Sequence, residues 1–403
     1  MNILLVSNRS AYFKSAFGGA ETSLRLIAEQ LANRGHRVWY LTKRFDPQFQ
    51  LGARSEQICQ VEVVSVNFMT EDNQSSAIHA GLSWAKKCMN EYQSSVFTHQ
   101  LQQILSRNQI DLAYCSYELN IMHKLIDIQK QGYPVKIVMR MAGNFWYEQC
   151  KKKPELIQQY QRAFNTIDLV NFLHPQMRKD VQEKFDELKM TVTFEKYFVG
   201  DIGTFSTIGR PSAYIGSNGD DFNLLMAARF SDYQKRQDLL VQSVSLIPAN
   251  IPVKLTLLGE GVRKNEITEL IRSLKLENRV FVEPFCDQRE LWQRLLKTHL
   301  LCHACEYEGV SKIMLESMAM GLPVLVSDVT PVNLEIVDGE NGFLVENDPK
   351  AWADRISYLY HHQEILADVS QRSIIYVEGK YNPKNNILVY EKAFSEIVQA
   401  TKN

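Results

Sequence analysis

Two carboxylates and two cations stand out by their spacing. In EYEGVSKIMLESMAMGLPVLVSD, residues 306–328, Glu308 and Glu316 lie eight residues apart. In AARFSDYQKRQDLL, Arg229 is followed six residues later by Lys235. Carboxylates are acceptor-only groups and suit the paired hydroxyls of a ribose or a hexose. An arginine fork and a lysine point charge at the two ends of one loop can clamp a diphosphate. A third stretch, AFGGAETSL, sets Gly18 and Gly19 before a helical pattern, whose free amides and positive dipole end favour phosphate.

Each feature also has a plainer reading. A glycine pair before a helix is often only a tight turn, and Arg229 with Lys235 could be a solvated basic loop. Glu308 could simply favour a helix N-terminus, with Glu316 exposed beside Lys312. The helix KIMLESMAM is apolar nearly all round, however, and a carboxylate on a buried helix is costly without partners. That weighs toward function for Glu316. Gly309 and the amides after it could meet a sugar or phosphate oxygen.

The elements that must hold these residues alternate between strand and helix. ILLVSN (3–8) precedes the helix ETSLRLIAEQLANRG, whose Leu24, Ile27, Ala28 and Leu31 repeat at helical spacing, and Gly35 is its stop. Further strands are expected at 61–66, 112–116, 135–141 and 168–173. The pattern lapses in GDIGTFSTIGRPSAYIGSNGDD, residues 200–221, which is rich in Gly, Ser and Asp. Alternation restarts with FNLLMAARF, VKLTLLGE, RVFVEPF, HLLCHA and LPVLVSD as a new sheet. Arg229 then follows a strand, Lys235 opens the next helix, and Glu308 sits at a strand exit.

This alternation implies parallel strands joined by crossover helices. The fold class is α/β, two Rossmann-like doubly wound domains facing a central cleft, with ligands beyond the carboxyl ends of the strands. The expected divisions are 1–205, a linker at 206–222, 223–380, and a C-terminal helix at 381–403 returning to the first domain.

At 403 residues, 45% apolar and 23% charged, the chain is a globular protein too long for one core. A net charge of −1 lacks the basic excess of a nucleic-acid binder. No run approaches the roughly 20 apolar residues of a membrane span. Seven scattered cysteines fit a reducing cytoplasm. Cys302 and Cys305 form a CxxC, but without a second ligand pair they read as small buried residues. The loop after the first strand is too long for the GxGxxG fingerprint of a dinucleotide dehydrogenase.

Taken in order, the GGAE, the Arg-loop-Lys segment, the Glu308–Glu316 pair and ENGFLV (340–345) resemble the retaining glycosyltransferases of the GT-B class, family-4 type with an E-x7-E motif. The resemblance spans nearly the whole chain. It implies a first domain for the acceptor and a second for a nucleotide-activated sugar, with no metal and no cofactor. On this resemblance Arg229, Lys235 and Glu308 are catalytic. Gly18, Gly19, Glu308, Gly309, Val310, Ser311 and Glu316 hold the donor, Glu316 through its ribose.

The implied activity moves a hexose-type sugar from a nucleotide-diphosphate sugar to a hydroxyl of a glycan, lipid-linked or small-molecule acceptor. The implied setting is cell-envelope or exopolysaccharide assembly in the cytoplasm, with peripheral contact at the inner face of the membrane allowed. Three positions depart from the family pattern. Ala142 precedes Gly143 where relatives carry His-Gly, leaving Arg140 and Asn144 as acceptor-side candidates. Thr330-Pro331 replaces a glycine pair and loses an amide donor, with Glu335 one residue late. Pro284 stands where a glycine near the base is usual. His174 is a further acceptor-side candidate, although MRKDVQEKFDELK mixes both charge signs as a solvated face does. The alternatives are a nucleotide-sugar epimerase or hydrolase of the same plan, and a non-catalytic nucleotide-sugar-binding subunit.

Overall fold

The computed structural model describes residues 1–13, 19–45, 51–68, 79–204, 221–230 and 234–400. Gly18 and residues 206–220 of the expected linker lie outside them. The chain divides into two compact units, Met1–Ile202 with Pro383–Asn403, and Gly203–Asn382.

The first unit is built on β1 (Asn2–Ser7), β2 (Arg37–Arg44), β3 (Ala53–Ile58), β4 (Val61–Asn67), β5 (Leu112–Ser116), β6 (Lys136–Met141), β7 (Leu169–Phe172) and β8 (Tyr197–Val199). They lie in the order β3-β4-β2-β1-β5-β6-β7-β8. All neighbours are parallel except β3 with β4. Without β3, the first six strands follow the 3-2-1-4-5-6 order of a doubly wound sheet.

Helices cover both faces, which is why the central strands are apolar on both sides. Ile3 and Leu5 share a core with Leu24, Ile27 and Leu31 of the helix Gly19–Asn33 and with Ile387, Tyr390 and Phe394 of the helix Pro383–Gln399. Leu4 and Val6 face Phe97, Leu101, Ile121 and Leu125. The C-terminal helix is held to this unit by Tyr390 Oη donating to Gly200 O at 2.8 Å and by Glu391 paired with Arg34 and His36. Strand β3 was not expected from ARSEQI: it is a largely exposed edge with charged side chains, so no burial imposes alternation on it.

The second unit carries β9 (Phe222–Ala227), β10 (Val253–Leu258), β11 (Val280–Glu283), β12 (Leu300–His303), β13 (Val324–Ser327) and β14 (Phe343–Val345). Their order, β11-β10-β9-β12-β13-β14, is all parallel and again 3-2-1-4-5-6. Phe222, placed at the end of the expected linker, is instead the buried first residue of β9.

Gly203 opens this unit with φ +83°, and a side chain there would meet the Tyr381 carbonyl oxygen at 1.8 Å. Thr204 N also donates to that carbonyl at 3.1 Å, so only glycine fits the approach. Among the described residues no helix is long and apolar enough to cross a membrane.

Candidate functional site

In a doubly wound sheet the strand order reverses at one point, and the loops leaving the two strands there diverge to leave a crevice. In the second unit that point lies between β9 and β12. The loop after β9 carries Arg229 and Lys235, and the loop after β12 carries Glu308. The topology therefore brings Lys235 to Glu308, which the sequence keeps about seventy positions apart.

Backbone contacts tie the two loops. Lys235 and Cys305 form an antiparallel bridge, Glu306 N donates to Gln234 O at 2.9 Å, and Arg236 N donates to Ala304 O at 3.1 Å. Gln234 Nε2 adds a bond to Tyr307 O at 2.8 Å. These pairings correct the expectation that Lys235 opens a helix. Its backbone is in a bridge, and the helix begins two residues later, at Gln237–Leu246. Beneath the loop, Ser327 Oγ accepts from Cys305 N at 2.9 Å and donates to Asn347 Oδ1 at 2.6 Å, and Asn347 Nδ2 donates to Cys305 O at 2.9 Å.

Within this frame Lys235 forms an ion pair with Glu308, both side chains being largely buried. His303, the last residue of β12, is 2% exposed, and its Nε2 lies 3.6 Å from Glu308 Oε2. Burial and then the neighbouring Lys235 ammonium hold the His303 imidazole well below its usual pKa, so it is neutral at pH 7. Arg229 is exposed, and its carbonyl accepts from Gln237 Nε2 at 3.0 Å. Its loop is closely packed behind: a side chain on Gly259 would meet Ala228 O at 2.0 Å.

Glu316 lies in the helix Lys312–Ala319 and is buried, not exposed beside Lys312 as the plainer reading had it. Gln288 Nε2 and Trp292 Nε1 donate to its two oxygens, each at 3.1 Å. Burial raises its pKa, against the pull of these bonds and of Lys312. Each oxygen keeps a lone pair for a further donor. Gly309 is in the loop before this helix, Val310 packs half-buried against the core, and Ser311 is buried at the helix start.

Glu335 is also buried, accepting from Tyr376 Oη at 2.6 Å and Lys380 Nζ at 2.7 Å. Although burial alone would raise its pKa, Lys380 and Tyr376 outweigh that and hold it below the usual range. Cys302 and Cys305 are buried free thiols, and burial pushes Cys305 up to about 11.

In the first unit the order reverses between β1 and β5. Gly19 is the first residue of its helix, with Glu21 in the same turn. Asn8, leaving β1, donates its N–H to Glu118 Oε2 at 3.2 Å. Burial raises the pKa of Glu118, while burial lowers that of Lys43 at the end of β2. Arg140 sits in β6 at 2% exposure, and its Nε and Nη1 have no hydrogen-bond partner among the described residues. Asn144 Oδ1 is likewise buried without one. His174 caps the helix Pro175–Glu187, its Nδ1 accepting from Gln176 N at 3.1 Å.

Sequence reasoning missed Glu118, Lys43, Gln288 and Trp292, which carry no motif and are placed only by the fold, and it saw His303 only as a residue inside the CxxC. Two concavities of the described residues, about 450 Å³ beside Thr268 and Phe281 and about 580 Å³ beside Gln109 and Tyr133, lie away from these loops. No group of three or more His, Cys, Asp or Glu among the described residues is placed to hold a metal ion.

Residues 212–375 match the family described as glycosyl transferases group 1, a span that includes Arg229, Lys235, Glu308 and Glu316. These residues form a group 1 glycosyltransferase domain. N-acetyl-alpha-D-glucosaminyl L-malate synthase of Bacillus anthracis is 20% identical over 407 aligned positions, covering 96% of each chain. The sucrose-phosphate synthase of Thermosynechococcus elongatus superposes with a TM-score of 0.76 at 16% identity, over 99% of both chains. HepE of Anabaena, solved in complex with UDP and glucose, gives 0.70 at 16% identity, over 98% of this chain and 100% of its own. Two Rossmann-like parallel-sheet units matching these structures make the fold GT-B. The matched residues lie within the unit that carries Lys235, Glu308 and Glu316.

Proposed function

We propose that this chain is a retaining, metal-independent glycosyltransferase of the family-4 type, transferring a hexose-type sugar from a nucleotide-diphosphate sugar to an acceptor hydroxyl. The observation that carries the reading is the Lys235–Glu308 pair at the strand-order reversal of the glycosyltransferase domain. UDP in the HepE complex supports a UDP-sugar as donor, and the glucosaminyl group in the name of the B. anthracis relative supports a hexose-type sugar. Assembly of cell-envelope or exopolysaccharide glycans is the setting that the family resemblance favours.

In this reaction the bond from the anomeric carbon to the diphosphate oxygen breaks and a bond to the acceptor oxygen forms. The acceptor's proton passes to the departing phosphate, which serves as base. Both bonds lie on one face of an oxocarbenium-like sugar, so the anomeric configuration is kept. Charge accumulates on the diphosphate, where Lys235 and the exposed Arg229 neutralise it. Glu308 orients the sugar through its hydroxyls, and Glu316, aligned by Gln288 and Trp292, accepts from the ribose. Gly18, Gly19, Gly309, Val310 and Ser311 are assigned to the donor, and Arg140, Asn144 and His174 to the acceptor side, on the resemblance. His174 already serves as a helix cap.

A thermal-shift screen against UDP-, GDP- and ADP-sugars tests the reading. At about 100-fold excess over its Kd the true donor stabilises the fold by roughly 2.7 kcal/mol. Silence across the panel contradicts it. Ala142, in place of the family's histidine, favours a second reading as a non-catalytic binding subunit. That reading predicts stabilisation by a nucleotide sugar with no turnover on any acceptor, and an inverted product by NMR would exclude retention.

A further inference from the structure

Lys235 cannot serve Glu308 and a diphosphate equally. With no nucleotide sugar bound its ammonium neutralises the Glu308 carboxylate. Once a diphosphate draws that ammonium away, a largely buried carboxylate is left needing another donor. One group is positioned to supply it. His303 Nε2 is buried, has no hydrogen-bond partner among the described residues, and lies 3.6 Å from Glu308 Oε2. That gap is roughly 0.6 Å longer than an N–H···O bond, within reach of a small turn of the Glu308 side chain. We propose that His303 is a positioning residue that takes hold of Glu308 through its Nε2–H when Lys235 turns to the donor's diphosphate. The exchange leaves the second carboxylate oxygen free for a sugar hydroxyl.

Three further observations support it. The imidazole sits at the carboxyl end of β12, a strand buried throughout, so its ring is fixed by the sheet and not by a loop. It is neutral, so it can donate one N–H without adding a second positive charge beside Lys235. The backbone at Lys235 and Cys305, on either side of the pair, is held by their bridge and by Ser327 and Asn347, so the exchange asks movement chiefly of side chains. Of the neighbouring charged side chains described, Arg236 is paired with Asp238 and Glu306, and Arg229 is exposed. The exchange rests on the assignment of Lys235 and Glu308 given above, and the experiment keeps the two apart.

The test uses the full chain and whichever nucleotide sugar of the UDP-, GDP- and ADP-series stabilises it most. His303→Leu is expected to lower kcat by about tenfold or more with donor KM nearly unchanged, as for an interaction made after binding. His303→Gln, whose amide N–H can occupy the Nε2 position, is expected to restore most of that loss. A wild-type kcat in His303→Leu, or an equal loss in both variants, overturns the proposal.

Long-range 1H–15N spectra of the wild-type histidines read the same step with no substitution, should His303→Leu fail to fold. The His303 Nε2 signal is expected to move to a hydrogen-bonded shift on saturation with that nucleotide sugar, and an unmoved signal overturns the proposal. Unaltered donor affinity in Lys235→Ala, or no binding across the series, brings down the site assignment itself, and this exchange with it.

Discussion

The two units share one strand order, yet they use its reversal point differently. In the second unit the loops leaving β9 and β12 are stitched by backbone bonds and carry charges of both signs in contact, Lys235 against Glu308 and Arg236 against Glu306. In the first unit the equivalent point holds Glu118, bonded to Asn8, while Arg140 is buried with two nitrogens that have no hydrogen-bond partner among the described residues. Topology decides where a ligand can sit, and side chains decide what it is. A pinned pair of opposite charges suits an anion that must be bound and then released with more charge than it brought. Among the described residues the first unit shows no such pair at its reversal point.

The contrast is broken or sharpened most strongly by Lys235→Ala. Removing this cation is expected to reduce turnover by roughly 10²–10³-fold, as loss of a preorganised charge does. Glu118→Gln in the first unit is expected to raise acceptor KM while leaving donor affinity alone. Steady-state kinetics with both substrates varied would check the pair, and a donor-affinity loss in Glu118→Gln would erase the contrast.

A smaller effect is expected from Gly259→Ala, whose new methyl would press on Ala228 O behind the Arg229 loop. About 1–3 kcal/mol of stability should be lost, as in other overpacked sites. The loss should appear in the second unit's denaturation midpoint, accompanied by weaker donor binding. Unchanged values of both would show that the loop's packing does not hold Arg229.

The smallest concerns Glu335. Its native pKa is held below the usual 4.5, so its contribution is present above that value and fades as pH falls through the lowered one. In Glu335→Gln this acid-side loss, on the order of 1 kcal/mol for the hydrogen bonds involved, should vanish from the stability–pH curve. An identical acid limb in the variant would mean that other carboxylates dominate it.

Much of this architecture was legible from alternation alone, because strands buried on both faces must be apolar and their crossover helices amphipathic. β1 and the helix after it, with Gly35 at φ +87° past its end, follow from that rule. Strand β3 does not, since an exposed edge imposes no pattern. At the site, Glu308 and Glu316 were marked by spacing and by the cost of burying a carboxylate. The partners of Glu316 were not: Gln288 and Trp292 lie on another helix, and no local signal ties them to it. His303 was hidden for a similar reason, since a histidine ending an apolar strand reads as core until a carboxylate is found beside it. Lys235 was misplaced onto a helix because its backbone partner, Cys305, is seventy residues away in sequence.

Isothermal titration of the best-stabilising nucleotide sugar into the wild type and into the Arg229→Ala/Lys235→Ala double variant probes the diphosphate grip most directly. Binding should weaken by at least about 100-fold, the equivalent of roughly 2.7 kcal/mol. Equal affinity in a double variant that still unfolds cooperatively would contradict the placement of the diphosphate between these two side chains.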